Sequence, residues 1–253
     1  MESCDLLLGR KLGRDSSWLK PFESPHRADI IKLDCCFDPE TAEEALQLLT
    51  PYRAEIRSLP PSLSLNGFFG PADVAFYWAF IRSRRPDTVI EIGSGYSSRV
   101  ALRALAKNKH GRLVCIDPVP RLHLPNNNLT HIALKIEDVD AGLFDDFQPH
   151  DILFIDSSHM GSEVRHHAAF LDRLPVGALV HYHDIDYPWE RPEAEWDEDA
   201  VVADFLEARP NWKVIVSGSI LSRDYLPQLR DAIPSYHWTP YRRYNAFWMT
   251  RIA

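Results

Sequence analysis

From Asn66 onward, short apolar runs alternate with longer stretches in which apolar residues recur every three or four positions. The short runs have strand length and the longer ones the period of amphipathic helices, so the pattern predicts successive strand–helix–strand units. Strands are expected over 88–93, 113–117, 130–134, 152–156, 178–183, 213–217 and 246–252, and helices over 72–82, 97–107, 162–174, 198–208 and 225–233. A run such as Ile152, Leu153, Phe154 and Ile155 has no polar face, as a parallel strand covered on both sides requires. The expected fold class is therefore α/β, a doubly wound and mostly parallel sheet with helices on both faces.

Residues 1–66 read differently. They are polar and punctuated by prolines, with one helical pattern over 39–56 in which Ala42, Ala45, Leu46, Leu49 and Tyr52 share a face. We expect a helical cap segment over 1–66 ahead of a main domain over 67–253. Its helix has three available roles: packing on the main domain, covering a substrate site, or self-association into a homo-oligomer.

Composition narrows the partners more than the fold. Hydrophobic residues at 45% and charged residues at 25% of the 253 positions are ordinary for a globular chain. A formal net charge of -8 gives no electrostatic reason to approach a nucleic acid or an anionic membrane. Cys4, Cys35, Cys36 and Cys115 have neither zinc spacing nor the look of a secreted disulfide framework. The run Leu6 to Leu8 is too short for a signal peptide, and no stretch has the length of a membrane span. A soluble cytoplasmic protein is the expectation.

The chemistry concentrates where predicted strands end. Val89, Ile90, Glu91 and Ile92 run into Gly93, Ser94 and Gly95, and a helix follows. Gly93 suits a tight turn, and Gly95 lets the backbone approach a ligand with no Cβ in the way. The first helical turn then offers unpaired N–H groups. Dinucleotide sites place a third glycine where this chain has Ser98, and Glu91 would repel a pyrophosphate but suit the amino and sulfonium groups of S-adenosylmethionine. Asp117 closes the second strand about 20 residues on, where a carboxylate takes both ribose hydroxyls.

The chain from Asn66 to its end resembles the class I S-adenosylmethionine-dependent methyltransferases. The resemblance rests on four segments: Glu91 to Ser98, the strand ending in Asp117, Ile155-Asp156-Ser157-Ser158-His159, and His181-Tyr182-His183-Asp184-Ile185. It implies a Rossmann-like seven-stranded sheet whose last strand, from Ala246, is antiparallel. The Asp-Ser-Ser-His and His-Asp-Ile pair is most similar to a bacterial subgroup of small-molecule methyltransferases, related to cephalosporin-hydroxylase-like and sugar O-methyltransferases. That subgroup carries an aromatic-Asn-Glu-Gln-Tyr run after the fifth strand, where this chain has Trp196-Asp197-Glu198-Asp199-Ala200. The resemblance further implies S-adenosylmethionine as cofactor, a hydroxyl or amine of a small metabolite or sugar-containing molecule as acceptor, and adenine contacts from Asp138 and Val139. It also places Phe68 and Phe69 where related enzymes close over the methionine end, although anchoring would explain those rings equally well.

Asp156, His183 and Asp184 all fall at carboxyl ends of strands, where ligands of such sheets sit. Two readings stand. In one, Asp156, His183 and Asp184 hold a divalent metal that orients an acceptor hydroxyl, and the histidine argues for an ion softer than Mg²⁺. In the other, His159 or His183 is the general base beside Asp156, with His159 preferred. His181 is expected to be buried in its strand, His166 and His167 to pack within a helix, and the run 187–198 with Trp189, Arg191 and Trp196 to form either a lid or a solvated loop. Two other functions remain open at this stage: an NAD-dependent oxidoreductase, and a non-catalytic S-adenosylmethionine-binding protein.

Overall fold

The computed structural model describes residues 37–125, 127–185, 198–233, 244 and 246–253. Seven strands form one sheet: β1 (Thr88–Ile92), β2 (Arg112–Ile116), β3 (Leu129–Ile132), β4 (Ile152–Ile155), β5 (Leu179–Tyr182), β6 (Trp212–Ser217) and β7 (Phe247–Arg251). Their spatial order is β3-β2-β1-β4-β5-β7-β6. The first five pair in parallel, and β7 runs antiparallel between β5 and β6. Strand order reverses between β1 and β4, which opens a crevice outside their carboxyl ends.

Every residue of β4 and β5 is buried, as are the last four of β1 and β2, so helices cover both faces of the central sheet. β3 lies at the edge, and its Thr130 and His131 are exposed. Each strand expected from the apolar runs is present.

Helices α1 (Pro39–Leu49) and α2 (Arg53–Arg57) are separated by a 3₁₀ turn at Thr50–Tyr52, where Pro51 interrupts the expected continuous helix. Ala42, Ala45 and Leu49 of α1 are buried, and α1 packs on β6 and on α3 (Pro71–Arg84). The expected role of 1–36 lies outside the described residues.

Glu55 on α2 accepts hydrogen bonds from Trp78 Nε1 (3.0 Å) and Arg82 Nε (2.8 Å) on α3. Removing it strands the indole N–H of Trp78, which is buried. Glu55→Ala is therefore expected to cost about 1 to 2 kcal/mol. This reads as a lower urea midpoint with unchanged slope.

α4 (Tyr96–Asn108) follows β1 and packs against α3, while α5 (Gly161–Leu171) and α6 (Glu198–Glu207) pack against each other. Two short helices follow β6: α7 (Gly218–Asp224) and α8 (Leu226–Ala232). Only α8 was expected. Ser217 caps α7, its Oγ accepting from the Ile220 amide at 3.4 Å, and Gly218 follows where a Cβ would stand 2.7 Å from the Tyr244 carbonyl oxygen. Among the described residues no helix is long and apolar enough to cross a membrane.

Candidate active site

β1, β2, β4 and β5 all deliver residues to one cavity of about 700 Å³ at their carboxyl ends. Gly93 and Ser94 come from the turn after β1, Asp117 from the end of β2, Asp156 to Met160 from the loop after β4, and His183 and Asp184 from the end of β5.

The glycine turn has two distinct causes. Gly93 has φ +90°, and a Cβ there would lie 1.9 Å from the Asp156 carbonyl oxygen, so only glycine lets β1 turn against the end of β4. A Cβ on Gly95 would meet nothing within 4 Å, so open space remains beside its backbone. Ser94 Oγ donates to Asp117 Oδ2 at 2.6 Å and the Val119 amide donates to Oδ1 at 2.9 Å. Asp117 is thus held at the cavity wall with lone pairs to spare.

Two expected contacts fail for a common reason. Glu91 is 0% exposed and accepts hydrogen bonds from Tyr77 OH (2.9 Å) and from Ser98 Oγ. It sits one residue before the end of β1, and strand alternation turns it into the helix layer, away from the ligand. Burial outweighs those hydrogen bonds and pushes its carboxyl up to about 7. The expectation that Glu91 meets a cationic ligand is therefore corrected. Ser98 is also fully buried: it accepts from the Gly95 amide at 3.0 Å and seats α4. It closes the turn and does not line the cavity.

Glu91 leads to a prediction about stability. Below its usual value of 4.5 the carboxyl is neutral in both folded and unfolded chains. Between 4.5 and about 7 the unfolded chain ionises while the folded one keeps its proton, so stability falls as pH rises. At about 1.4 kcal/mol per pH unit the loss reaches about 3 kcal/mol above pH 7. Denaturant titrations at pH 5 and pH 8 are expected to show that loss in the native chain and a smaller one in Glu91→Gln.

The adenine-side expectation also shifts. The 3₁₀ turn Ile136–Asp138 points Glu137 into the cavity beside Lys135 and Ile136, and leaves Asp138 exposed and Val139 outside the lining. Phe68 and Phe69 part company. Phe69 is buried against Phe154 and His183, with ring centroids 5.9 and 5.6 Å away, whereas Phe68 lines the cavity, stacked on Tyr96.

At the β4 and β5 side the expected polar group assembles. His159 and Asp184 both adopt left-handed backbone, φ 60° and 59°, a conformation costing non-glycine residues about 1 kcal/mol each. His159 Nδ1 lies 2.8 Å from Glu198 Oε2, and its Nε2 lies 3.6 Å from Asp156 Oδ1 and 3.7 Å from Asp184 Oδ2. Burial opposes charge on this ring, but the bond to Glu198 and the fields of Asp156 and Asp184 raise its pKa above the usual value. His183 is 4% exposed; burial again works against its charge, and Asp156, Asp184 and Asp73 together push its pKa well up. Glu163 behaves oppositely: burial opposes its charge, yet the nearby His167 ring, 3.6 Å away, and the hydroxyls of Ser157 and Ser158 bring it to about 2.

His181 is buried, stacked on Phe154 at 4.0 Å, as expected. His167 is buried and faces Tyr182 OH at 3.1 Å, while its neighbour His166 is exposed. Of the expected lid, 187–197 lies outside the described residues. Glu198, read as part of that lid, instead reaches His159 from the start of α6, and Asp73 reaches His183 from α3. Neither contact leaves a local mark in sequence.

Residues 90–185, from β1 to the end of β5, match the family described as methyltransferase domain. A relative from Archaeoglobus fulgidus, an uncharacterized protein, is 34% identical over 87 residues, which are 32% of this chain and 39% of the relative. The chain thus spans about two-fifths of that relative's length. Two similar solved structures are the O-methyltransferase TomG from Streptomyces achromogenes in complex with SAM and an O-methyltransferase from Bacillus cereus in complex with SAH. TomG is 17% identical, with 85% of this chain and 90% of that chain covered and a TM-score of 0.48. The Bacillus cereus enzyme is 14% identical, with 87% and 95% covered and a TM-score of 0.49. The matched residues include Gly93, Ser94, Asp117, Asp156, His159, His183 and Asp184, which line the cavity at the ends of β1, β2, β4 and β5.

Proposed function

We propose that this chain transfers the methyl group of S-adenosylmethionine to a hydroxyl oxygen of a small molecule. The observation that carries the reading is that one cavity has Asp117 and the glycine turn on one wall and His159 on another. Its volume suits a nucleoside-sized donor with room beside it for an acceptor.

The donor, when bound, supplies an electrophilic methyl on sulfur. Asp117 accepts from ribose hydroxyls, and the open side of Gly95 admits the donor close to the backbone. With Nδ1 held 2.8 Å from Glu198 Oε2, His159 turns Nε2 toward the cavity, and its neutral ring is the base. There it takes the acceptor hydroxyl's proton as the oxygen bonds to the methyl carbon and the carbon–sulfur bond breaks. The left-handed backbone of His159 and the Glu198 anchor together fix that ring, which is the preorganisation a proton transfer needs.

Asp156, His183 and Asp184 also fit a divalent metal, since they converge and the nitrogens of His183 are buried without a hydrogen-bond partner. Such an ion, when bound, would lower the pKa of the acceptor hydroxyl.

The test is incubation of the purified chain with labelled S-adenosylmethionine and a metabolite extract, with and without EDTA. The expected result is S-adenosylhomocysteine release together with one compound gaining the labelled methyl group. Tight S-adenosylhomocysteine binding with no product in any extract would instead support a protein that only binds the nucleoside.

A further inference from the structure

Two acidic residues near each other do not make a metal site. Here a third group gives the pair its meaning. Asp156, His183 and Asp184 each offer one ligand atom, and those atoms all lie within 4.8 Å of one another. His183 Nδ1 stands 3.3 Å from Asp184 Oδ2 and 4.0 Å from Asp156 Oδ2, beyond good hydrogen-bond geometry to the second and without a satisfied bond to either. A polar ring this deeply buried and aimed between two carboxylates implies a further ligand, because an unsatisfied buried nitrogen is costly.

The other side of the ring is equally specific. Nε2 lies 3.6 Å from Asp73 Oδ1, and that oxygen is buried with no hydrogen-bond partner. Asp73 Oδ2 is already used, accepting from the Gly70 amide at 2.8 Å to close the first turn of α3. The helix start thereby pins the carboxylate so that its second oxygen faces His183. A carboxylate behind the far nitrogen of a histidine is the usual outer partner of a metal-bound imidazole: it fixes the tautomer and turns the near nitrogen to the ion.

We propose that Asp156, His183 and Asp184 form a mixed nitrogen–oxygen site that takes a first-row transition ion in preference to Mg²⁺, with Asp73 as the positioning residue for His183. This rests on the methyl-transfer reading of the same cavity and adds which ion serves it and which residue outside the cavity tunes it. Mg²⁺ demands oxygen ligands in near-ideal octahedra, whereas Mn²⁺, Fe²⁺ and Co²⁺ accept imidazole, with affinity rising along that series.

The experiment uses the full chain stripped of metal, titrated calorimetrically with MgCl₂, MnCl₂ and CoCl₂. Visible absorption of the Co²⁺ form and S-adenosylhomocysteine titration are run on the same samples. Co²⁺ is expected to bind at least about tenfold more tightly than Mg²⁺ and to show nitrogen-ligated d–d bands. Asp73→Asn can still close the α3 turn through its amide oxygen. It is expected to weaken Co²⁺ by about 10- to 100-fold while leaving S-adenosylhomocysteine affinity unchanged. Should Asp73→Asn fail to fold, His183→Asp, which makes the site all-oxygen, is expected to narrow the Co²⁺ over Mg²⁺ ratio about tenfold or more.

Equal affinity for Mg²⁺ and Co²⁺, or no ion bound by a chain that holds S-adenosylhomocysteine, overturns the proposal. So does Co²⁺ affinity untouched by a folded Asp73→Asn. Co²⁺ binding with no affinity for S-adenosylhomocysteine supports the ion site and overturns the methyl-transfer reading.

Discussion

His159→Ala is expected to lower turnover about 100- to 10,000-fold while leaving S-adenosylhomocysteine affinity within about twofold of native. The imidazole is anchored by Glu198 at one nitrogen and faces the cavity with the other, whereas the donor's ribose would be held on the Asp117 wall. Its loss therefore removes proton transfer without dismantling the nucleoside site. Single-turnover release of S-adenosylhomocysteine with the acceptor identified from the extract, beside calorimetric titration of S-adenosylhomocysteine, separates the two quantities. A variant that loses affinity and turnover in proportion would show His159 to be a wall of the donor site.

Gly93→Ala is expected to damage fold and site together. Its added Cβ would stand 1.9 Å from the Asp156 carbonyl oxygen, on a backbone at φ +90° that alanine rarely adopts. Left-handed strain of about 1 to 2 kcal/mol and overpacking of about 1 to 3 kcal/mol point the same way. A total of about 3 kcal/mol corresponds to a fall in Tm of about 10 °C for a chain of this size. Any part of the strain relieved by moving β1 away from β4 displaces Asp156, so S-adenosylhomocysteine binding falls with stability. Gly95→Ala is the contrasting variant. Its Cβ enters open space, so stability is expected to hold while binding of the nucleoside weakens.

These outcomes reflect what was legible in the sequence. Strand β4 could be read because a strand buried on both faces is apolar throughout, β1 and β5 because Glu91 and His181 are the one polar interruption in each apolar run before its last residue, and Asp117 because a carboxylate ending the second strand has a fixed distance from the glycine turn. The strand-end group of Asp156, His159, His183 and Asp184 followed from the same rule, since all four stand where strands give way to loops.

Glu91 was misread because the text of a motif does not say which side of a strand a residue faces. Its burial against Tyr77 and Ser98 appears only once α3 and α4 pack on the sheet. Asp138 stands outside the cavity lining that Glu137 joins, because the sense of a 3₁₀ turn decides which of two adjacent acids looks inward. Glu198 and Asp73 escaped for a different reason. Each approaches its histidine from a helix far away in sequence, and the sole hint for Glu198 was a segment that departs from the pattern of the subgroup the chain resembles.

The cavity beside Gly93 and Asp117 is expected to prefer a sulfur-bearing nucleoside to a nicotinamide dinucleotide. Calorimetric titration of the purified chain with S-adenosylhomocysteine, and in parallel with NAD⁺, measures that preference directly. Micromolar binding of S-adenosylhomocysteine, weakened at least about tenfold by Asp117→Ala, with no heat from NAD⁺, is the predicted result. Binding of NAD⁺ by a chain indifferent to S-adenosylhomocysteine would contradict it.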